Sequence, residues 1–222
     1  MIISIPAVLD AAALTAVRTA LEGAQWEDGR ASAGLAARQI KNNLQLPTAS
    51  DAYKRLAPLI LEALVGNELV QAVAMPLAIR PILISRYRTG MSYGRHVDNA
   101  VMGQPPIRSD LSFTLFLNNP EDYEGGELVL EQAGGEQRCK LEAGSAVLYY
   151  STLQHRVDPV RAGERTVAVG WMQSLCSDAR VREALYDLYR VLRALYGQEG
   201  KSEQFNLVGK IHANLLRAFA SP

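Results

Sequence analysis

The sequence predicts a mainly β fold, a jelly-roll core flanked by helices. Three observations carry that expectation: eight short apolar runs crowd the stretch 77–172, turn-forming residues separate them, and apolar stripes of helical period occur only before and after it. The expected strands are 77–87, 93–97, 111–117, 127–131, 137–141, 146–150, 154–157 and 165–172. Between them stand Thr89-Gly90, Asn118-Asn119-Pro120, Gly125-Gly126, Gly134-Gly135, Ala143-Gly144 and Ala162-Gly163, each a turn former. Eight short strands suit a double-sheet jelly roll.

Ahead of the strands, Leu14, Val17 and Leu21 keep one face of a helix beginning near Asp10. Tyr53, Leu56, Leu59, Ile60 and Leu64 do so in a second helix, with Ser50 as N-cap and Gly66 as stop. The segment between them, from Trp26-Glu-Asp-Gly-Arg30 to Gln39-Ile-Lys-Asn-Asn-Leu-Gln-Leu-Pro47, is rich in amides and charge and reads as a surface loop. After the strands, Val181, Leu185, Leu188, Tyr189, Leu192 and Leu195 share a stripe that Gly197 ends, and a second amphipathic segment covers 205–219. This tail is expected to pack on the barrel; the other use for it is a homodimer surface. The organisation is therefore an N-terminal helical region over 1–76, the jelly roll over 77–176 and a C-terminal helical region over 177–222.

A chain of 222 residues with 48% apolar and 21% charged residues can enclose one core. Its 23 basic residues balance 23 acidic ones, so no global field favours a polyanion, and nucleic acid is not implied as a partner. Met1-Ile-Ile-Ser-Ile-Pro6 lacks a basic leader, and no apolar run approaches the roughly 20 residues that span a bilayer. A soluble cytoplasmic protein, without a membrane partner, is expected. Cys139 and Cys176 lie far apart with no CxxC spacing and read as reduced core residues.

The chemistry resides in few residues. Two of the three histidines stand in His96-Val97-Asp98 and, much later, at His155. Alternation along a strand puts His96 and Asp98 on one face, where both reach one ion, and His155 completes the set from another strand. Two imidazoles and a carboxylate leave three positions open, the arrangement used by oxygen-activating Fe(II). The short HxD pattern is weak alone. Arg165 strengthens it: in Arg165-Thr-Val-Ala-Val-Gly-Trp171, alternation puts Arg165, Val167, Val169 and Trp171 on one face, and if that face is interior the guanidinium needs a partner. A protein carboxylate, Glu127 or Glu142, is one candidate. A carboxylate from outside is the other: 2-oxoglutarate has a 2-keto acid to chelate the metal and a distal carboxylate to fit the guanidinium bidentately, leaving one position for O2.

With these residues in place, the chain resembles the bacterial PKHD-type hydroxylases of the Fe(II)/2-oxoglutarate-dependent dioxygenases, the prolyl and lysyl hydroxylase type. The matching features are Tyr87, Gly90, Tyr93, His96-Val-Asp98-Asn99, Leu115-Phe-Leu-Asn118, Tyr123-Glu-Gly-Gly-Glu-Leu128, Ser151-Thr-Leu-Gln-His155-Arg-Val157 and Arg165-Thr166, with Asp28-Gly-Arg30 and Lys41-Asn-Asn-Leu-Gln-Leu46 ahead of them. The resemblance implies a double-stranded β-helix, iron on His96, Asp98 and His155, and the distal carboxylate of 2-oxoglutarate on Arg165. It further implies that Tyr87 donates to that carboxylate, and that L-ascorbate serves as reductant. Phe116 stands where some eukaryotic prolyl hydroxylases carry a second tyrosine, which puts their protein-substrate specificity in doubt here. The expected activity is hydroxylation with release of succinate and CO2. The substrate would be a peptidyl or free amino acid or a small iron-chelating metabolite. The alternative is a non-catalytic, cupin-like sensor of metal or 2-oxoglutarate. The segment 99–108, rich in Gly and Pro and directly after the HxD pair, reads either as a lid or as an inert loop.

Overall fold

The computed structural model describes residues 1–221. Two antiparallel sheets face each other. The larger has eight strands, in the order Ile2–Ile5, Ala146–Tyr150, Leu111–Phe116, Val160–Ser174, Pro76–Arg88, Leu44–Gln45 and Glu27–Asp28, with Tyr123–Gly125 pairing on the end of Val160–Ser174. The smaller has five: Gly135–Cys139, Leu128–Gln132, His155–Val157, Ser92–His96 and Lys41–Asn42. This is the jelly roll with flanking helices that the strand pattern predicts, and each of the eight expected runs holds a strand.

Two apolar layers hold it together. Tyr87, Phe116, Leu128, Leu130, Val147, Tyr149, Val157 and Val167 fill the space between the sheets. On the outer face of the larger sheet, Ile82, Ile84, Phe113, Leu115 and Leu148 pack against Leu14 and Val17 of the helix Ala11–Leu21 and against Leu56, Ile60 and Leu64 of the helix Asp51–Gly66. Both helices start as expected: the Asp10 carboxylate accepts from Ala13 N at 2.8 Å and the Ser50 hydroxyl from Tyr53 N at 3.2 Å, satisfying donors that a helix start leaves open. Among the described residues no single helix is long and apolar enough to cross a membrane; Asp51–Gly66 and Glu68–Ala74 reach that length only together, bent by 76° at their junction, and they bury their apolar side in this core.

Four expectations need correction. The polar stretch read as a surface loop contributes three short strands: Glu27–Asp28, Lys41–Asn42 and Leu44–Gln45. Lys41 pairs with Tyr93 in the smaller sheet while Gln45 pairs with Ser85 in the larger, so the segment bridges both sheets. Part of its polarity does face solvent, through Glu27, Asp28, Arg30, Gln39 and Asn42, but Lys41, Asn43 and Gln45 are buried, and Lys41 and Gln45 line a cavity between the sheets. Ala162-Gly163 is no turn; it lies inside the 15-residue strand Val160–Ser174. There Gly163, at φ 74°, lets Asp122 O approach to 2.2 Å from where a Cβ would stand. The helix Ala179–Glu199 runs past Gly197 and stops at Gly200, at φ 68°. Finally, the C-terminal helices pack little on the barrel: Ala179–Glu199 buries Arg182 and Leu185, and Glu203–Phe219 has no buried residue among those described. Their stripes pair mainly with each other. Cys139 and Cys176 are free and buried, as expected.

Candidate metal centre

The smaller sheet brings the histidines together by register: His155, the first residue of its strand, lies directly opposite His96, the last of Ser92–His96. Asp98 falls in the loop just beyond that strand, so loop geometry rather than strand alternation delivers its carboxylate. The result is compact. Asp98 Oδ1 is 3.9 Å from His96 Nε2, its Oδ2 is 3.8 Å from His155 Nε2, and the three groups offer ligand atoms all within 4.8 Å of one another.

The orientation of each ring is fixed from behind. His96 Nδ1 donates to Gly94 O at 2.7 Å and His155 Nδ1 to Leu153 O at 2.9 Å, since a carbonyl can only accept; both Nε2 lone pairs therefore point at the shared space. Tyr93 stacks on His96 with centroids 3.8 Å apart, and Tyr149 meets His155 edge-on at 5.1 Å. Burial first, and then the neighbouring His155, push the His96 imidazole down to about 4, so it is the neutral form a metal needs. Asp98 Oδ2 accepts from Ser112 Oγ at 2.6 Å, and Ser112 Oγ lies 2.8 Å from Ser151 Oγ.

Arg165 is the second centre. It is 1% exposed, and its Nε and both terminal nitrogens have no hydrogen-bond partner; neither Glu127 nor Glu142 pairs with it. Its guanidinium sits 5.1 Å from the ring centre of Tyr87, directly across the sheet, and 5.6 Å from that of Phe116. Gly126 makes room for its stem, because a Cβ there would stand 3.1 Å from Arg165 Cδ. The Tyr123 hydroxyl is buried close to Arg165, but neither makes a well-formed hydrogen bond to the other. A buried guanidinium costs several kcal/mol unless a carboxylate meets it, about 3–5 kcal/mol being typical when one partner of such a pair is missing. Five donors in a planar fork facing a cavity thus suit an incoming carboxylate. Arg165, Val169 and Trp171 line one cavity with His96, Asp98, His155 and Tyr87, as alternation along their strand predicts.

Comparison with known proteins agrees with this geometry. Residues 82–173, which hold all of these groups, match the model of the 2OG-Fe(II) oxygenase superfamily. A PKHD-type hydroxylase of Synechococcus elongatus is 49% identical over 99% of this chain and 100% of its own length. The chain belongs to the PKHD-type hydroxylases. As a member of that family it is an Fe(II)- and 2-oxoglutarate-dependent dioxygenase that hydroxylates with release of succinate and CO2. The fold is shared with a Pseudomonas putida prolyl-4-hydroxylase (TM-score 0.55, 20% identity, 78% of this chain and 92% of that one). It is shared too with HygX from Streptomyces hygroscopicus, solved with nickel and 2-oxoglutarate (TM-score 0.53, 16% identity, 79% and 84%).

Two residues of the PKHD-type cavity escape the sequence reading. Ser112 is one; the signal for it is Leu111-Ser-Phe-Thr-Leu-Phe116, a strand buried at every position yet carrying Ser112 and Thr114 on one face. Lys41 is the other. Its Nζ donates to Ser32 Oγ at 2.8 Å and stands 5.4 Å from the Tyr93 ring centre.

Proposed function

We propose that His96, Asp98 and His155 hold the Fe(II) of this dioxygenase, and that Arg165 binds the distal carboxylate of 2-oxoglutarate, with Tyr87 as a further donor to it. The single observation behind the co-substrate assignment is the orphaned Arg165 fork, buried in the same cavity as the His/Asp group. Bound there, Fe(II) and 2-oxoglutarate supply the oxidising chemistry: O2 is consumed, 2-oxoglutarate becomes succinate and CO2, and one oxygen atom enters a substrate C–H bond.

The chain's own residues do the rest. The carbonyls of Gly94 and Leu153 fix the tautomer of each histidine, and Ser112 holds Asp98, so the ligand set is organised before the metal arrives. Arg165 and Tyr87 set the position of the co-substrate from its far end. Phe116, Val157, Leu128 and Val169 make the surrounding wall apolar and keep water from the reacting centre. The substrate class is a peptidyl or free amino acid or a small iron-chelating metabolite, with L-ascorbate keeping the iron reduced in a cytoplasmic enzyme. Val191, Tyr196, Leu207 and Ile211, which stay exposed on Ala179–Glu199 and Glu203–Phe219 after those helices pair with each other, support a homodimer through them.

The test is anaerobic titration of Fe(II) and 2-oxoglutarate, watched for a visible charge-transfer band, followed by admission of air and assay for succinate. A band and succinate from the wild type, both lost in Asp98→Ala, are expected. A band without succinate under every condition would favour the sensor, and behaviour unchanged in Asp98→Ala would remove the metal assignment.

A further inference from the structure

Lys41 lies outside the residues 82–173 shared with the oxygenase superfamily, and no step described above uses it. Yet it is 6% exposed and its ammonium lines the same cavity as His96, Asp98 and Arg165. Of its three N–H donors, one goes to Ser32 Oγ; among the described residues it makes no ion pair, although Asp98 and the exposed Asp28 lie near enough to favour its charge. Asp28 is occupied by Arg30, whose terminal nitrogen is 2.6 Å away. Burial wins over both carboxylates and pushes the amine down to about 8, the mark of a cation short of partners.

Its placement is specific. Lys41 and Tyr93 are directly opposed in the smaller sheet, and Tyr93 stacks on His96, so the ammonium lies on the His96 wall. Arg165 projects from the larger sheet opposite. The cavity therefore carries a cation on each wall, Lys41 on the sheet that holds His96 and His155 and Arg165 on the sheet that faces it. The charges do not balance with metal and co-substrate alone: two positive charges from Fe(II), one from Arg165 and one from Lys41 stand against one negative charge from Asp98 and two from 2-oxoglutarate. One positive charge is left over in a buried space, where an uncompensated charge is costly. Trp171, also in the cavity wall, adds a buried indole Nε1 that has no acceptor.

We infer that Lys41 binds a carboxylate carried by the substrate that is hydroxylated. The inference rests on the iron and 2-oxoglutarate assignment above and narrows the substrate class. A free amino acid, a peptide C-terminus or a carboxylate-bearing small molecule satisfies Lys41; a neutral residue inside a peptide chain does not. Lys41 is thus a specificity-determining residue, delivered by the segment that bridges the two sheets.

The experiment uses the full chain loaded with redox-inert Mn(II) and saturated with 2-oxoglutarate. N-acetyl amino acids and their matched carboxamides are titrated in, with calorimetry and tryptophan fluorescence as readouts. At least one carboxylate is expected to bind, with its amide weaker by about tenfold or more, the scale of one charge-assisted hydrogen bond. Lys41→Met should erase the difference and Lys41→Arg should keep it, while 2-oxoglutarate binding stays within about twofold in both, which also reports that the variants are folded. Failure of every carboxylate to bind, equal binding of carboxylate and amide, or discrimination that survives Lys41→Met would each overturn the proposal. So would a loss of 2-oxoglutarate affinity in Lys41→Met, which would assign the lysine to the co-substrate. If wild type itself binds no 2-oxoglutarate, the failure lies instead in the assignment of Arg165, and the lysine proposal falls with it.

Discussion

Arg165→Met separates a residue that holds the fold from one that holds a ligand. The substitution keeps a long apolar stem between Tyr87 and Phe116 and removes all the donors. No well-formed hydrogen bond is lost, because Nε and both terminal nitrogens make none, although the Tyr123 hydroxyl is set close to the fork. A structural guanidinium removed from a buried pair would cost about 3–5 kcal/mol of stability. Here that cost is absent, and the metal-free variant should melt no lower than wild type. The loss falls on binding instead. A carboxylate deprived of a bidentate, charged partner gives up two hydrogen bonds of about 1.5–3 kcal/mol each, so 2-oxoglutarate affinity should fall by roughly a hundredfold or more. Calorimetric titration of 2-oxoglutarate into the Mn(II) form, beside thermal melts of the metal-free form, reads both quantities. A lowered melting temperature with unchanged 2-oxoglutarate affinity would refute the reasoning and make Arg165 a core residue.

Three further outcomes follow from the same geometry. Ser112→Ala leaves Asp98 Oδ2 without its 2.6 Å donor, and metal affinity, measured by competition with a chelating dye, should drop by about tenfold, the scale of a lost partner behind a metal ligand; unchanged affinity would show that Asp98 is held otherwise. Metal-free protein should lose stability as pH falls from about 6.5 toward 4. His96 stays neutral in the folded chain down to about 4 while the unfolded chain takes up its proton near 6.5, so protonation favours unfolding across that window; a melting temperature flat between pH 6.5 and 4 would contradict the depressed value. Segment 99–108 forms a hairpin, Val101–Met102 against Ile107–Arg108, and Asn99 and Met102 reach the cavity wall. Trimming its tip should raise 2-oxoglutarate consumption relative to hydroxylated product, measured as succinate in excess of product, and full coupling would mark the hairpin as inert.

The strands were legible because their periodicity and their turns agreed, and His96, Asp98, His155 and Arg165 because few residue types perform their chemistry. What was not legible has a common cause. Alternation placed Arg165, Val169 and Trp171 correctly, since all three lie deep in one regular strand, but it missed how Asp98 arrives, because the strand stops at His96 and the turn after it sets the carboxylate. Gly163 reads as a turn in any local window; only the approach of Asp122 O, 41 residues earlier in the chain, explains a glycine inside a strand. Ser112 looks like an ordinary strand serine until Asp98 is set against it.

The segment from Trp26 to Pro47 is the sharpest case. Amides and charges normally mark a solvated connection, since burying them unpaired is expensive. Here the backbone is paired to both sheets, while the buried side chains of Asn43, Gln45 and Lys41 are only partly satisfied: Gln45 reaches Ser85, Lys41 reaches Ser32, and the Asn43 amide has no partner. Gly29 is needed just there, since a Cβ would stand 2.0 Å from Asn43 Oδ1. Polar groups folded inward at such cost, beside an apolar wall and the His/Asp group, suit a cavity that receives a polar ligand. The His/Asp group and Arg165 lie within the span shared with a whole superfamily, whereas the polar segment that lines the cavity beside them lies outside it, so substitutions in that segment can alter what the cavity accepts while leaving the His/Asp group intact.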